Sequence, residues 1–248
     1  MEHLEYCDAL AVEIDRFATV FEGANEATMV PSCPEWSVHD LAEHLGHVHR
    51  WAEHLVRVRA TTRVPSAEMD FARGPVNATW IRSGGESLLA TLREGNPEEP
   101  MWAWGVDQHL GFWSRRQLHE TFVHRLDLEL AVGRTPVVDP LVASDAIDEF
   151  LVNLESAGDF SPEAREIRGG NELIRATVTD VAGTWTIQLL DSGFRLIDST
   201  QTPQVELSGS AKDVLMVLLR RQAIADVNVA LKGDRTLIDY WIAHSAFE

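Results

Sequence analysis

From Leu4 the apolar positions Leu4, Cys7, Ala11, Ile14, Ala18 and Phe21 recur at alternating steps of three and four. That spacing predicts a helix with one face against a core. Pro31 and Pro34 break the pattern and predict a loop. Ser37 then reads as an N-cap, with Asp40 three residues on as the carboxylate of a capping box. A second helix follows to about Arg59, its inward positions Val38, Leu41, Leu45, Val48, Ala52 and Leu55. Residues 76–94 predict a third helix, weakened by Gly84-Gly85 inside it. A fourth runs from near Gly111 to Val132, ended by Gly133 and Pro136. Asp139-Pro140 opens a fifth, reaching about Leu154.

Beyond residue 158 the period changes. Ile174 to Thr179 and Thr184 to Leu189 alternate apolar and polar positions, as half-buried strands do, with a turn at Asp180 to Gly183. Phe194 to Ile197, Gln204 to Leu207 and Val227 to Leu231 add strands. Ala211 to Arg221 reads as a helix, and Asp234 opens a closing one through Leu237, Trp241 and Ile242. Helices followed by a sheet with helices predict two domains, an all-α bundle over 1–157 and a small α+β sheet domain over 158–248, with Ser156 to Gly170 as linker.

Composition narrows the functional classes. With 39 acidic and 21 basic side chains the formal net charge is -18. Nucleic acid and anionic membrane surfaces are disfavoured partners. The longest apolar run, Val214 to Leu219, is far short of the ~20 residues of a spanning helix. The first residues lack the flank and apolar stretch of a signal peptide, so a cytoplasmic location is expected. Cys7 and Cys33 make no disulfide framework and are expected to be inert. Nine of the ten histidines and six of the eight tryptophans fall before residue 125, which places any chemistry in the first half.

Each helical residue turns ~100° about the axis, and this sorts the histidines. On the second helix His44 points with the apolar stripe, near Trp51 and Leu55. His39 and His54 point away from the stripe, and His47 and His49 sit at its edges. On the fourth helix Arg116, Glu120, His124 and Asp127 share one face with Trp113 and Ala131, whereas His119 points away from His124. Carboxylates beside Trp and Ala need an ion pair or a metal. Glu120 and His124 are four apart, so both can grip one cation. A buried Arg116–Glu120 ion pair with His124 bonded nearby fits the spacing equally well. With His44 facing them, Glu120 and His124 would give two histidines and one glutamate, the ligand count of catalytic zinc. Asp127, one turn beyond, is placed to accept the other imidazole N–H of His124.

The stretch Val30-Pro-Ser-Cys-Pro-Glu-Trp-Ser-Val-His-Asp-Leu-Ala-Glu-His44-Leu-Gly resembles the loop-and-helix signature of the mycothiol-dependent maleylpyruvate isomerase family, a branch of the DinB-like four-helix bundles. Phe112-Trp-Ser-Arg-Arg-Gln-Leu-His-Glu120-Thr-Phe-Val-His124-Arg-Leu-Asp127 is similar to its second signature. Segments from Ala143 and Gly233 match later ones, so the resemblance spans nearly the whole chain. It implies a divalent metal, typically zinc, on His44, Glu120 and His124, and a C-terminal domain like sterol-carrier-protein folds. It also implies an arginine after the helix of that domain, facing the active site. Leu219-Arg220-Arg221 departs from the usual small residue before it, and Arg221 is the better match.

The activity implied is attack by a metal-held thiolate, from mycothiol or a similar low-molecular-weight thiol, on a small acidic or electrophilic substrate. In the isomerase version the thiol adds to a cis double bond, the former double bond rotates, and the thiol leaves. Arg221 or Arg116 would hold the substrate's carboxylates. Two other readings stand beside it: a mycothiol S-transferase acting on another electrophile, and a non-enzymatic metal- or ligand-binding protein. Oligomeric state is not readable from these patterns.

Overall fold

The computed structural model describes residues 1–66, 69, 75–157 and 161–245. The chain divides into two compact units, Met1–Pro136 and Val137–Glu248.

The first unit is helical. Helices α1 (His3–Glu22), α2 (Val38–Val58), α3 (Ala78–Glu94) and α4 (Leu110–Ala131) pack in the ring α1–α4–α2–α3. The expected capping box forms at the start of α2. The Ser37 hydroxyl accepts from the Asp40 N–H at 3.2 Å, and the Asp40 carboxylate accepts the Ser37 N–H at 2.8 Å. Two glycines let the helices close together. A Cβ on Gly46 would lie 1.9 Å from the Trp80 ring, and one on Gly85 would lie 2.6 Å from Ile14. The Gly84-Gly85 pair that weakens α3 as an isolated helix therefore lets it lie against α1 and α2.

Helix α4 is buried nearly all round: Trp113, Gln117, His119, Thr121, His124, Arg125 and Asp127 are all covered. Polar groups so placed need partners. Arg125, for one, pairs with Glu13 of α1 and with Glu129 at 2.7 Å.

The segment read as a loop around Pro31 and Pro34 is a small antiparallel hairpin, β1 (Met29–Val30) with β2 (Cys33–Ser37). Prolines and a half-exposed, non-alternating pattern hide such a short pairing from sequence patterning. The hairpin packs on α2 and α4.

The second unit holds α5 (Pro140–Asn153), β3 (Leu173–Val178), β4 (Thr184–Leu190), β5 (Gly193–Ile197), β6 (Val205–Gly209), α6 (Ala211–Leu218), β7 (Val229–Gly233) and α7 (Arg235–Ser245). Its sheet has the order β5-β4-β3-β6-β7, antiparallel except for β3 beside β6. Ile174 pairs with Ile187 on one side and Val205 on the other, putting a buried row across three strands. Helix α6 packs on β3 and β6.

The compact units divide at Pro136/Val137, where the sequence pattern placed the boundary at 157/158; α5 packs on α6, and its Asp148 accepts the Trp185 indole N–H of β4 at 3.0 Å. Of the expected linker, residues 158–160 lie outside the described residues. No helix among the described residues is long and apolar enough to cross a membrane.

Candidate metal centre

Helices α2 and α4 bring His44, Glu120 and His124 together, with all three donor atoms within 4.8 Å of one another. His44 Nε2 is 3.1 Å and His124 Nε2 is 3.2 Å from the same oxygen, Oε1 of Glu120. The two imidazoles meet edge to face, with ring centroids 5.1 Å apart. Ligands held 2.0–2.2 Å from a tetrahedral zinc stand about 3.4 Å apart, so the two short separations suit a shared cation. Two imidazole nitrogens and one carboxylate oxygen form a donor set proper to a first-row divalent metal. The group lies wholly within the first unit.

The surroundings support it. Glu120 turns its other oxygen, Oε2, to the Arg116 guanidinium, so the ion pair considered as an alternative is present and leaves Oε1 facing the imidazoles. His124 Nδ1 lies 3.1 Å from Asp127 Oδ2, and Ser32 of the hairpin donates to Asp127 Oδ1 at 2.6 Å. With Nδ1–H given to the fully buried Asp127, His124 keeps Nε2 for the donor set.

Electrostatics favour positive charge at this point. Burial pushes the Glu120 carboxyl up. The Arg116 guanidinium, the His124 imidazole and the hydrogen bonds from both histidines outweigh burial and hold it well below the usual carboxylate range. Burial lowers His124, but the Glu120 charge and the hydrogen bonds to Asp127 and Glu120 raise it to about 9. An arrangement that stabilises a proton this strongly also suits a metal cation, which must displace that proton.

Three features escaped sequence reasoning. His49, read as an edge residue, is fully buried, and its Nε2 lies 2.8 Å from the Thr121 hydroxyl. Because α2 packs on both α3 and α4, its covered arc is wider than its apolar stripe. Ser32 and Trp36 stood inside the quoted signature without a role, and only the hairpin shows theirs. The Trp36 ring lies 4.7 Å from that of His44 and 6.2 Å from that of His124. His119, as its angle implied, leaves the site and meets Tyr6 of α1 edge-on at 6.4 Å.

Arg221 is not part of the donor set. It belongs to the second unit just after α6, where its guanidinium donates to the Leu219 carbonyl at 2.9 Å. Helix α6 ends before the expected Arg221, and the next turn carries Arg220 in the left-handed region at φ 58°.

Comparison with known proteins agrees with this layout. A crystal structure of the mycothiol-dependent maleylpyruvate isomerase with a histidine-to-alanine substitution matches at a TM-score of 0.61 and 13% identity. That match covers 94% of this chain and 93% of the other. A second crystal structure of the mycothiol-dependent maleylpyruvate isomerase matches at 0.58 and 12% identity, with the same coverage. These likenesses show the fold. No curated protein matches the sequence. Residues 7–129 match the family model described as the mycothiol maleylpyruvate isomerase N-terminal domain. Through that domain the first unit belongs to the mycothiol maleylpyruvate isomerase family, and the whole chain has a two-domain fold like that of the isomerase.

Proposed function

We propose that the chain is a metal-dependent enzyme using a low-molecular-weight thiol, mycothiol or a close relative, on a small electrophilic acid. The observation that carries this reading is the convergence of His44, Glu120 and His124 within 4.8 Å, with no fourth protein donor in the group among the described residues. Three protein ligands leave room for an outside one, as in catalytic rather than structural zinc. A divalent metal held by His44, Glu120 and His124 would keep a bound thiol deprotonated at neutral pH and so supply the nucleophile for thiol-dependent isomerisation or transfer.

The chain's own residues hold and charge the site. Asp127 orients His124, and Ser32 orients Asp127. Arg116 fixes Glu120 and adds positive charge where a protein of net charge -18 must receive an anion. Either Arg221 or Arg116 is the cation for the substrate's carboxylates in this reading; if it is Arg221, Arg221→Ala is expected to raise KM for a dicarboxylate.

The deciding experiment pairs metal analysis with turnover. Purified protein should carry near one zinc per chain, and His44→Ala or His124→Ala should lose it. Full retention in both variants would falsify the ligand assignment. Thiol-dependent conversion of maleylpyruvate supports the isomerase form of this reading. Thiol consumption with another electrophile and no isomerisation supports the transferase form. A metal-loaded chain inert in both assays would point to a binding protein.

A further inference from the structure

The donor side chains are unequally hidden. Glu120 and His124 keep 16% and 10% of their side-chain surface and Arg116 keeps 11%, but His44 keeps 35%. His44 is thus the most exposed member of the group. Trp36 stands beside it, half-buried, its ring tilted 46° to His44 and 38° to His124 at the distances given above. It brings a flat apolar face rather than a metal-binding atom. Its position is firm: it directly precedes Ser37, the N-cap of α2, and it packs against the apolar core built from all four helices and Val30 of the hairpin. A ring fixed at both its backbone and its back face cannot retreat from an incoming group without opening a cavity.

We propose that Trp36 is a specificity-determining residue of this site, the wall along which the outside ligand must lie. It admits a thiol whose sulfur sits on an unbranched carbon and rejects one whose sulfur sits on a fully substituted carbon. This inference rests on the metal-and-thiol reading above. A few methyl groups pressed against such a wall change affinity by about tenfold or more.

Cobalt(II) in place of zinc reports the outside ligand without turnover, because a bound thiolate adds a charge-transfer band in the near ultraviolet. Ethanethiol and tert-butanethiol are titrated against the native chain, Trp36→Ala and Trp36→Phe, with cobalt stoichiometry measured on each. The preference for ethanethiol should shrink about tenfold in Trp36→Ala, and by less in Trp36→Phe, which keeps one ring. Because both thiols are compared on every variant, their difference in basicity cancels. An unchanged preference in a cobalt-loaded Trp36→Ala chain overturns the proposal. If that variant takes up no cobalt, an unchanged preference in Trp36→Phe does the same. Loss of cobalt from both variants also overturns it, since Trp36 would then be supporting the donors. A native chain that takes up no cobalt overturns the metal reading itself, and the wall falls with it.

Discussion

Asp127 is fully buried and uses both carboxylate oxygens, one on the Ser32 hydroxyl and one on His124. Removing its charge leaves the imidazole less basic and its tautomer unfixed. Asp127→Asn is expected to weaken metal binding by about 10–100-fold with the fold intact, measured by competition with a chromophoric chelator. Ser32→Ala should act in the same direction and less strongly. His49 makes a separate prediction. Burial drives its pKa down to about 3 from an ordinary 6.5, and its Nδ1 has no hydrogen-bond partner among the described residues. Between those values the unfolded chain binds a proton that the folded chain refuses, so stability falls as pH drops below 6.5. At pH 5 the loss attributable to this one side chain is about 2 kcal/mol. His49→Leu should shrink the difference in urea midpoint between pH 7 and pH 5; an unchanged difference would show that His49 is not the group responsible. Spacing made the convergence of these side chains readable, since Glu120 and His124 must share a face and His44 lies on its helix's apolar stripe. His49 was not readable, because burial on α2 depends on which neighbours flank it.

At the scale of the element, α2 does most of the positioning. It carries His44, closes its first turn with the Ser37–Asp40 box, and lies close to α3 only because position 46 is glycine. Gly46→Ala would drive a methyl into the Trp80 ring, which itself stacks under Arg50 with the guanidinium carbon 3.9 Å from the ring centroid. The variant should lose about 1–3 kcal/mol in a denaturant titration. A smaller loss would mean that Trp80 can swing aside. The helices of the first unit were legible because each carries a long apolar period and a recognisable end. The hairpin was not. Its backbone pairs at Met29↔Ser37 and Val30↔Cys33, and the partner that gives Ser32 its role lies 95 residues away. Local pattern reports whether a segment repeats, not what a non-repeating segment will touch.

For the whole molecule, the two-part division follows from the change of hydrophobic period, but its position does not. The apolar residues of α5 read the same whether they face a bundle or a sheet domain, and packing on α6 settles the matter. The charge of -18 acts on the molecule as a whole through self-repulsion. Raising sodium chloride from low concentration to ~0.15 M shortens the Debye length to ~8 Å and should raise the thermal midpoint. A midpoint that falls with salt would show that local ion pairs such as Arg82–Asp15 and Arg93–Asp8 outweigh the overall excess.

His44 and Glu120 lie 76 residues apart in the chain. An ion gripped by both would act as a staple between distant stretches, closing a long loop whose entropy folding would otherwise have to overcome unaided. No short peptide cut from this sequence contains all three donors, so capture of the ion must follow the docking of α2 against α4. Metal uptake at this site during refolding would then be a clock for that docking event, and fragments ending before Glu120 should lack the three-donor site however helical they become.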